Sequence, residues 1–258
     1  MTQQSIIFFD IDGTLLDHNK ELPGSTVEAI KELKREGHIV AIATGRGPFM
    51  YKEIREKLGI NTYVSYNGQY VVVEGEVVYS NPLQKAALKN LTEDALENNT
   101  PVVFLDPDVM KANVPEHSYI TESIKTLKMG FPTYDPSYYE NNAIYQTLLF
   151  CEEKDEKQYI DAFPEFDFVR WHPLSTDVLP KDGSKAKGIE KALEKLQIPA
   201  ERVYAFGDGL NDVEMLSMVK NSVAMGNGVD EVKACAKYVT KPVDEDGIYH
   251  GLKMVGLL

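Results

Sequence analysis

The stretch Ser5 to Phe9, apolar from Ile6 onward, runs without a polar break into Asp10-Ile11-Asp12-Gly13-Thr14-Leu15-Leu16. A strand apolar on both faces has to be covered on both faces, which is the habit of a parallel sheet between helices. Side chains alternate along a strand, so Asp10 and Asp12 project to one side and Ile11 to the other. Two carboxylates held that close repel unless a cation lies between them or one carries a proton as part of its task. A polar turn closing a buried strand would account for Gly13 and for exposed acids. It gives no reason for an apolar run to end in an acid pair.

The rhythm that follows is strand and helix in alternation. Ser25 and Glu28 read as a capping box for a helix with Val27, Ile30 and Leu33 on its inner face, and Gly37 is placed to end it. Ile39 to Ala43 is the next strand, a helix follows from about Pro48 to Leu58, and Tyr63 to Ser65 is a third strand. The pattern returns near the carboxyl end. Ile189, Leu193 and Leu196 line a helix, Val203 to Phe206 is a strand, Val213 to Met218 is a helix, and Val223 to Met225 and Tyr238 to Val239 are short strands. Such alternation predicts an α/β fold with a doubly wound, mainly parallel, Rossmann-like sheet.

The middle breaks that rhythm. Gln69 to Tyr79 alternates and turns at Glu74-Gly75, as a hairpin does. Beyond it, helices near Leu83 to Glu97, His117 to Lys128 and Lys154 to Ala162 mix with strands at Pro101 to Leu105, Ile144 to Phe150, Phe166 to Trp171 and Thr176 to Leu179. We therefore expect residues 82 to 180 to form an inserted α+β domain, with residues 1 to 81 and 181 to 258 making a discontinuous core. A single continuous sheet is the alternative.

Charge and cysteine usage narrow the partners. A formal charge of -13 over 258 residues argues against nucleic acid or an anionic membrane, so any bound phosphate has to be captured locally. Cys151 and Cys235 have no zinc or redox spacing, which suits reduced thiols and a cytoplasmic location. No signal or membrane-spanning segment is visible in the sequence.

Three further patches sit at predicted strand ends or helix starts, where open α/β sheets bind ligands. Thr44-Gly45-Arg46 offers a hydroxyl, an unhindered amide and a guanidinium to a phosphoryl group; equally, Thr44 would cap the next helix and Arg46 would make a surface ion pair. In Asp182-Gly183-Ser184-Lys185-Ala186-Lys187-Gly188, Ser184 suits a helix cap and Lys185 a fixed positive charge, although solvated lysine is the commoner fate. Gly207-Asp208-Gly209-Leu210-Asn211-Asp212 repeats the theme of an apolar strand ending in acids. Asp208 and Asp212 would complete an oxygen-rich site with Asp10, of a kind that favours Mg²⁺, or else form an acidic surface turn. Spacing excludes a dinucleotide fingerprint, an EF-hand and a phosphate-binding loop ending in Gly-Lys.

Together these elements resemble the haloacid dehalogenase-like hydrolase superfamily, and Tyr66-Asn67-Gly68 with the interrupted middle resembles its Cof-type branch, with a class IIB cap. That resemblance implies a Mg²⁺-dependent phosphatase acting on phosphate monoesters of small metabolites, sugar phosphates above all, through an aspartyl phosphate. In it Asp10 is the nucleophile and Asp12 the proton carrier, whose carboxyl needs a pKa near neutrality. The ion is held by Asp10, the Asp12 backbone carbonyl and Asp208, with Asp212 in support. Thr44, Gly45, Lys185 and Asn211 hold the phosphoryl oxygens, and Arg46 and Asn67 line the site. Lys187 is a second candidate for the place of Lys185. On the final strands of the cap Arg170, His172 and Asp177 are candidates for reading the leaving group, with Trp171 in the packing. A homodimer is left open. A phosphomutase or phosphotransferase, and a non-catalytic sensor of phosphorylated ligands, are the alternative functions.

Overall fold

A computed structural model describes residues 4–258. In chain order the first elements are β1 (Ile6–Phe9), α1 (Gly24–Arg35), β2 (Ile39–Ala43), α2 (Lys52–Leu58), β3 (Thr62–Ser65), β4 (Tyr70–Val73) and β5 (Glu76–Ser80). The middle carries α3 (Lys85–Glu97), β6 (Val102–Leu105), β7 (Met110–Ala112), α4 (Ser118–Thr126), β8 (Thr133–Tyr134), α5 (Tyr138–Asn141), β9 (Gln146–Leu149), α6 (Glu153–Ala162), β10 (Phe166–His172) and β11 (Ser175–Pro180). Last come α7 (Lys185–Leu196), β12 (Val203–Gly207), α8 (Val213–Met218), β13 (Asn221–Ala224), α9 (Asp230–Cys235), β14 (Tyr238–Val239) and α10 (Gly247–Met254). Two compact units result: one runs through Arg46 and then takes in Tyr51–Ser80 and Ser184–Leu258, the other comprises Gly47–Met50 and Asn81–Gly183. Among the described residues no helix is long and apolar enough to cross a membrane.

The first unit is built on an eight-stranded sheet in the order β14-β13-β12-β1-β2-β3-β4-β5. Strands β14 to β3 pair in parallel and β4 and β5 add an antiparallel edge. Glu74 and Gly75 both take positive φ, 52° and 88°, as the tight turn between β4 and β5 requires. The alternation of β1 divides two cores: Ile7 and Phe9 pack with Ala29, Ile30 and Leu33 of α1 and Leu252 of α10, whereas Ile6 and Phe8 pack with Ile189 and Ala192 of α7 and Met215 of α8. Both faces of the sheet are thus closed, which is why its central strands carry no polar side chain until they end.

Two details at α1 separate expectation from outcome. Gly37, at φ +84°, ends the helix, with its own N–H on the Lys34 carbonyl and the His38 N–H on the Leu33 carbonyl. The expected capping box of Ser25 and Glu28 does not form. Pro23 occupies the cap with φ -58° and no side-chain cap bond, so the helix starts at Gly24 and Ser25 falls inside its first turn.

The second unit has its own six-stranded sheet, in the order β10-β11-β9-β6-β7-β8. Leu88 and Leu91 of α3, Tyr159 of α6 and Phe163 at its end cover one face through Val102, Phe104, Leu149 and Val178. The fold is therefore α/β with a mainly parallel core sheet and a separate α+β cap.

Candidate active site

Strand β1 lies between β12 and β2, with Phe9 level with both Phe206 and Ile42. The chain leaves β1 in one direction to build β2 and β3 and returns on the other side for β12 to β14, so the sheet has its switch of direction here. A crevice opens beyond the strand ends at such a point. Asp10, Thr44 and Asp208 are the residues that emerge there, each immediately after its strand.

Asp10 continues the alternation of Ile6 and Phe8 toward the side of α7, and Lys185 is the first residue of that helix. Its Nζ, fully buried, lies 2.6 Å from Asp10 Oδ1 and 2.7 Å from Asp212 Oδ1. Ser184 caps the helix by accepting the Lys187 N–H, which fixes the direction in which Lys185 leaves the turn. Lys187 is exposed, so of the two lysines only Lys185 enters the acid cluster.

The backbone beneath Lys185 is pinned by two glycines. Gly68, at φ +96°, stands where a Cβ would overlap the Ser184 carbonyl, and a Cβ on Gly188 would come within 2.7 Å of the Gly68 Cα. The turn after β3 can therefore lie directly on the first turn of α7.

Asp212 organises the loop after β12. Its Oδ2 accepts the amides of Asp208 and Gly209, each at 2.9 Å, and its side chain is wholly buried. Asp208 is held from the opposite end of the sequence by the Thr14 hydroxyl, which donates to Oδ1 at 2.7 Å. Gly13, at φ +82°, makes room, since a side chain there would overlap the Asp208 carboxylate. Asn227 ties this loop down by donating to the Gly13 carbonyl at 2.8 Å and accepting the Val243 N–H at 2.8 Å.

Asp10, Asp208 and Asp212 each present an oxygen, and the three lie within 4.8 Å of one another. Burial pushes the Asp10 carboxyl up to about 7, against the pull of Lys185 and with help from the charges of Asp212 and Asp208. Burial likewise lifts Asp208 to about 6, opposed by the Thr14 bond. Two buried acids and the half-buried Asp208 share one lysine, a charge imbalance that a hard divalent cation would correct, and the donor set is all oxygen. The residues present thus fit a magnesium-like ion.

Asp12 has different surroundings. Arg46 clasps it with Nε on Oδ2 and Nη2 on Oδ1, both at 2.7 Å, and Lys20 adds an ion pair to Oδ1. Burial would raise its carboxyl, but Arg46 and Lys20 together bring it below its ordinary value. In this state Asp12 is an anion rather than the near-neutral group expected of an acid, and the guanidinium of Arg46 is taken up by it. Thr44 accepts the Arg46 N–H at 3.1 Å, while Asn211 donates to Asn67 Oδ1 at 3.2 Å beside Gly45, whose Cβ would sit 3.1 Å from the Asn67 amide nitrogen.

In the cap unit, Arg170 is bound to Glu156 and to the carbonyls of Cys151, His172 and Pro173, and His172 Nδ1 pairs with Ser123 and the Leu174 N–H. Both close the β10–β11 hairpin. Among the described residues no cation pairs with Asp177; burial drives it up to about 8, and a Gln146 hydrogen bond opposes that.

Lys20, Thr14 and Asn227 were not singled out from the sequence. For Asn227 a signal existed in the glycine-flanked run Gly226-Asn227-Gly228 one residue beyond the end of β13, a grammar close to that of the Asp208 loop.

The family profile described as haloacid dehalogenase-like hydrolase matches residues 7–252. "Putative phosphatase YkrA" of Bacillus subtilis (strain 168) is 54% identical over 98% of this chain and 98% of that protein. The 5-amino-6-(5-phospho-D-ribitylamino)uracil phosphatase YitU of the same organism is 31% identical, over 98% of this chain and 97% of its own length. Among solved structures, a hypothetical protein of Geobacillus kaustophilus HTA426 superposes with a TM-score of 0.97 at 55% identity, covering 99% of this chain and 100% of the other. The HAD subclass IIB sugar phosphatase BT4131 superposes with a TM-score of 0.84 at 31% identity, covering 98% and 100%. The chain belongs to the haloacid dehalogenase-like hydrolase family. Within that family it is a phosphatase with the subclass IIB architecture.

Proposed function

We propose that the protein hydrolyses phosphate monoesters of small metabolites through a phosphoenzyme on Asp10, with Mg²⁺ as cofactor. The observation that carries this reading is Lys185 bridging Asp10 and Asp212 beside Asp208, at the ends of adjacent strands. An ionised Asp10 oxygen attacks phosphorus, forming the aspartyl phosphate as the bond to the leaving alcohol breaks; Asp12, anionic in the resting site, takes a proton from the entering phosphate monoanion and gives it to that alkoxide. Water then attacks the same phosphorus, Asp12 takes its proton, and Asp10 is regenerated as inorganic phosphate departs.

Each remaining side chain serves one of those steps. Lys185 keeps Asp10 aimed and offers positive charge to the transferring phosphoryl group. Thr44, Gly45 and Asn211 hold phosphoryl oxygens in transfer geometry, Asn67 orients Asn211, and Arg46 steadies Asp12. Bound by the Asp10 and Asp208 carboxylates and the Asp12 carbonyl, with Asp212 in support, magnesium would offset the repulsion between Asp10 and a phosphate dianion.

Sugar phosphates are the substrate class we favour. YitU and the sugar phosphatase BT4131 are named for substrates with phosphate on a polyhydroxylated carbon chain. The net charge of -13 also disfavours nucleic acid and anionic membranes as partners.

The test is acid-quenched turnover of p-nitrophenyl phosphate. Asp10→Asn should release no phosphate while keeping the wild-type circular dichroism, and Asp12→Asn should let protein-bound phosphate accumulate. Full phosphate release by Asp10→Asn would end the proposal. A hexose phosphate should give free hexose and phosphate, where a phosphomutase would give an isomeric ester.

A further inference from the structure

Between β1 and α1 the chain carries a lysine that no motif claims. Lys20 has φ +61°, a left-handed conformation that glycine or asparagine would adopt at lower cost. Four hydrogen bonds impose it. Asp17 Oδ1 accepts the N–H of Asn19 at 2.8 Å and of Glu21 at 2.9 Å, the Lys20 N–H reaches the Asp17 carbonyl at 3.0 Å, and the Asp17 N–H reaches the Glu21 carbonyl at 2.9 Å. The turn so closed delivers the Lys20 ammonium to Asp12 Oδ1.

Stability is a poor reason for that arrangement. The two side chains are 39% and 38% exposed, and pairs of that kind contribute little to folding. What the pair changes is the division of labour between the two Asp12 oxygens. Among the described residues, Oδ1 accepts both Arg46 Nη2 and Lys20 Nζ, whereas Oδ2 accepts Arg46 Nε alone. A carboxylate oxygen has two lone-pair sites, so Oδ1 is filled and Oδ2 keeps one open.

We propose that Lys20 is a positioning residue: by saturating Asp12 Oδ1 together with Arg46, it assigns proton exchange with the leaving alcohol and the attacking water to Oδ2. This rests on the reading of Asp12 as proton carrier given above. Without Lys20 the carboxyl rises toward its ordinary value, which by charge alone would help donation, but it gains two unequal ways to present itself, so a selective loss in the step that needs a donated proton reports position rather than charge.

Leaving-group dependence separates this role from a merely structural one. p-Nitrophenolate departs without protonation, but the alkoxide of a hexose phosphate does not, and kcat/KM reports the step in which either leaves. Lys20→Met is expected to lower kcat/KM for a hexose phosphate about tenfold, a fraction of what general acid catalysis supplies, with the value for p-nitrophenyl phosphate within about twofold of wild type. Lys20→Arg should restore the hexose phosphate rate. Asp17→Ala, which leaves the lysine in place and loosens its turn, should repeat the selective loss. Equal losses on both esters in Lys20→Met, or none on either, overturn the proposal. Asp12→Asn serves as the reference: if it too shows no selectivity, the proton-carrier reading fails, and if it does while Lys20→Met does not, only the role of Lys20 fails.

Discussion

Lys185 and Asp10 are 175 residues apart in sequence, yet Nζ sits 2.6 Å from Oδ1 with the ammonium entirely out of solvent. A buried cation between two buried carboxylates cannot be removed quietly, because each acid left behind keeps its desolvation cost and loses its partner. Lys185→Met should therefore lower turnover of p-nitrophenyl phosphate by at least about a hundredfold and cost about 3 to 5 kcal/mol in urea unfolding. A variant as stable as wild type would show that the charges at this centre are balanced some other way.

Gly68 is the point where the turn after β3 rests on α7. Its positive φ and the Ser184 carbonyl in the path of any Cβ make Gly68→Ala costly twice over. The expected result is a loss of about 2 kcal/mol or more in stability, with a fall in kcat, because the first turn of α7, which an added Cβ would push away, carries Lys185. Thermal unfolding and steady-state kinetics on the same sample check both halves.

Thr14 donates to a carboxylate we assign to the metal, and such outer partners tune affinity more than they shape the fold. Thr14→Val should raise the Mg²⁺ concentration for half-maximal activity about ten- to a hundredfold, with activity recovering at saturating metal. An unchanged metal requirement would remove Asp208 from the list of ligands.

The raised carboxyls of Asp10 and Asp208, about 7 and about 6 against an ordinary 3.8, set the pH response of the metal-free protein. Between pH 4 and 7 the folded state binds more protons than the unfolded chain, so stability falls as pH rises through that window. On the proposed assignment of the site, Mg²⁺ would take the place of those protons. The rise in Tm on adding Mg²⁺ to EDTA-treated protein should be larger at pH 8 than at pH 5, and chelation should stop turnover.

Asp177, pushed up to about 8 by burial, acts with the same sign in a window that opens at the same pH and closes about one unit higher. Wild-type stability should go on falling between pH 7 and 8, where the unfolded chain has already lost the proton that folded Asp177 still holds, and level off above that. Asp177→Asn should flatten that part of the Tm profile, and an unaltered slope would show that another group titrates there.

What could be read beforehand follows from the range of the forces involved. The strands β1, β2 and β12 were legible because each needs apolar cover on both faces, and Ser184 was legible as a cap because capping acts within three residues. The helix α10 was passed over: Gly247 and Gly251 argue against helix locally, whereas in the fold Gly251 lets the helix approach the Phe206 ring. Pro23 displaced Ser25 from the cap by two positions, a margin finer than side-chain type alone resolves. In the site, the acids and Lys185 were recognisable by kind and position. The occupation of Arg46 by Asp12, the hold of Thr14 on Asp208 and the clamp of Asn227 on Gly13 were not, since each depends on which distant loops share a strand edge.

Asp10, Asp12, Lys185, Asp208 and Asp212 all lie outside Asn81–Gly183, so none of the groups assigned to the chemistry is encoded by the interrupting module. Evolution can lengthen, shorten or redecorate that module in one piece of gene, between Ser80 and Ser184, without disturbing the reacting atoms. A lineage with this layout is free to acquire new preferences by drift in one segment while the other stays under constant selection.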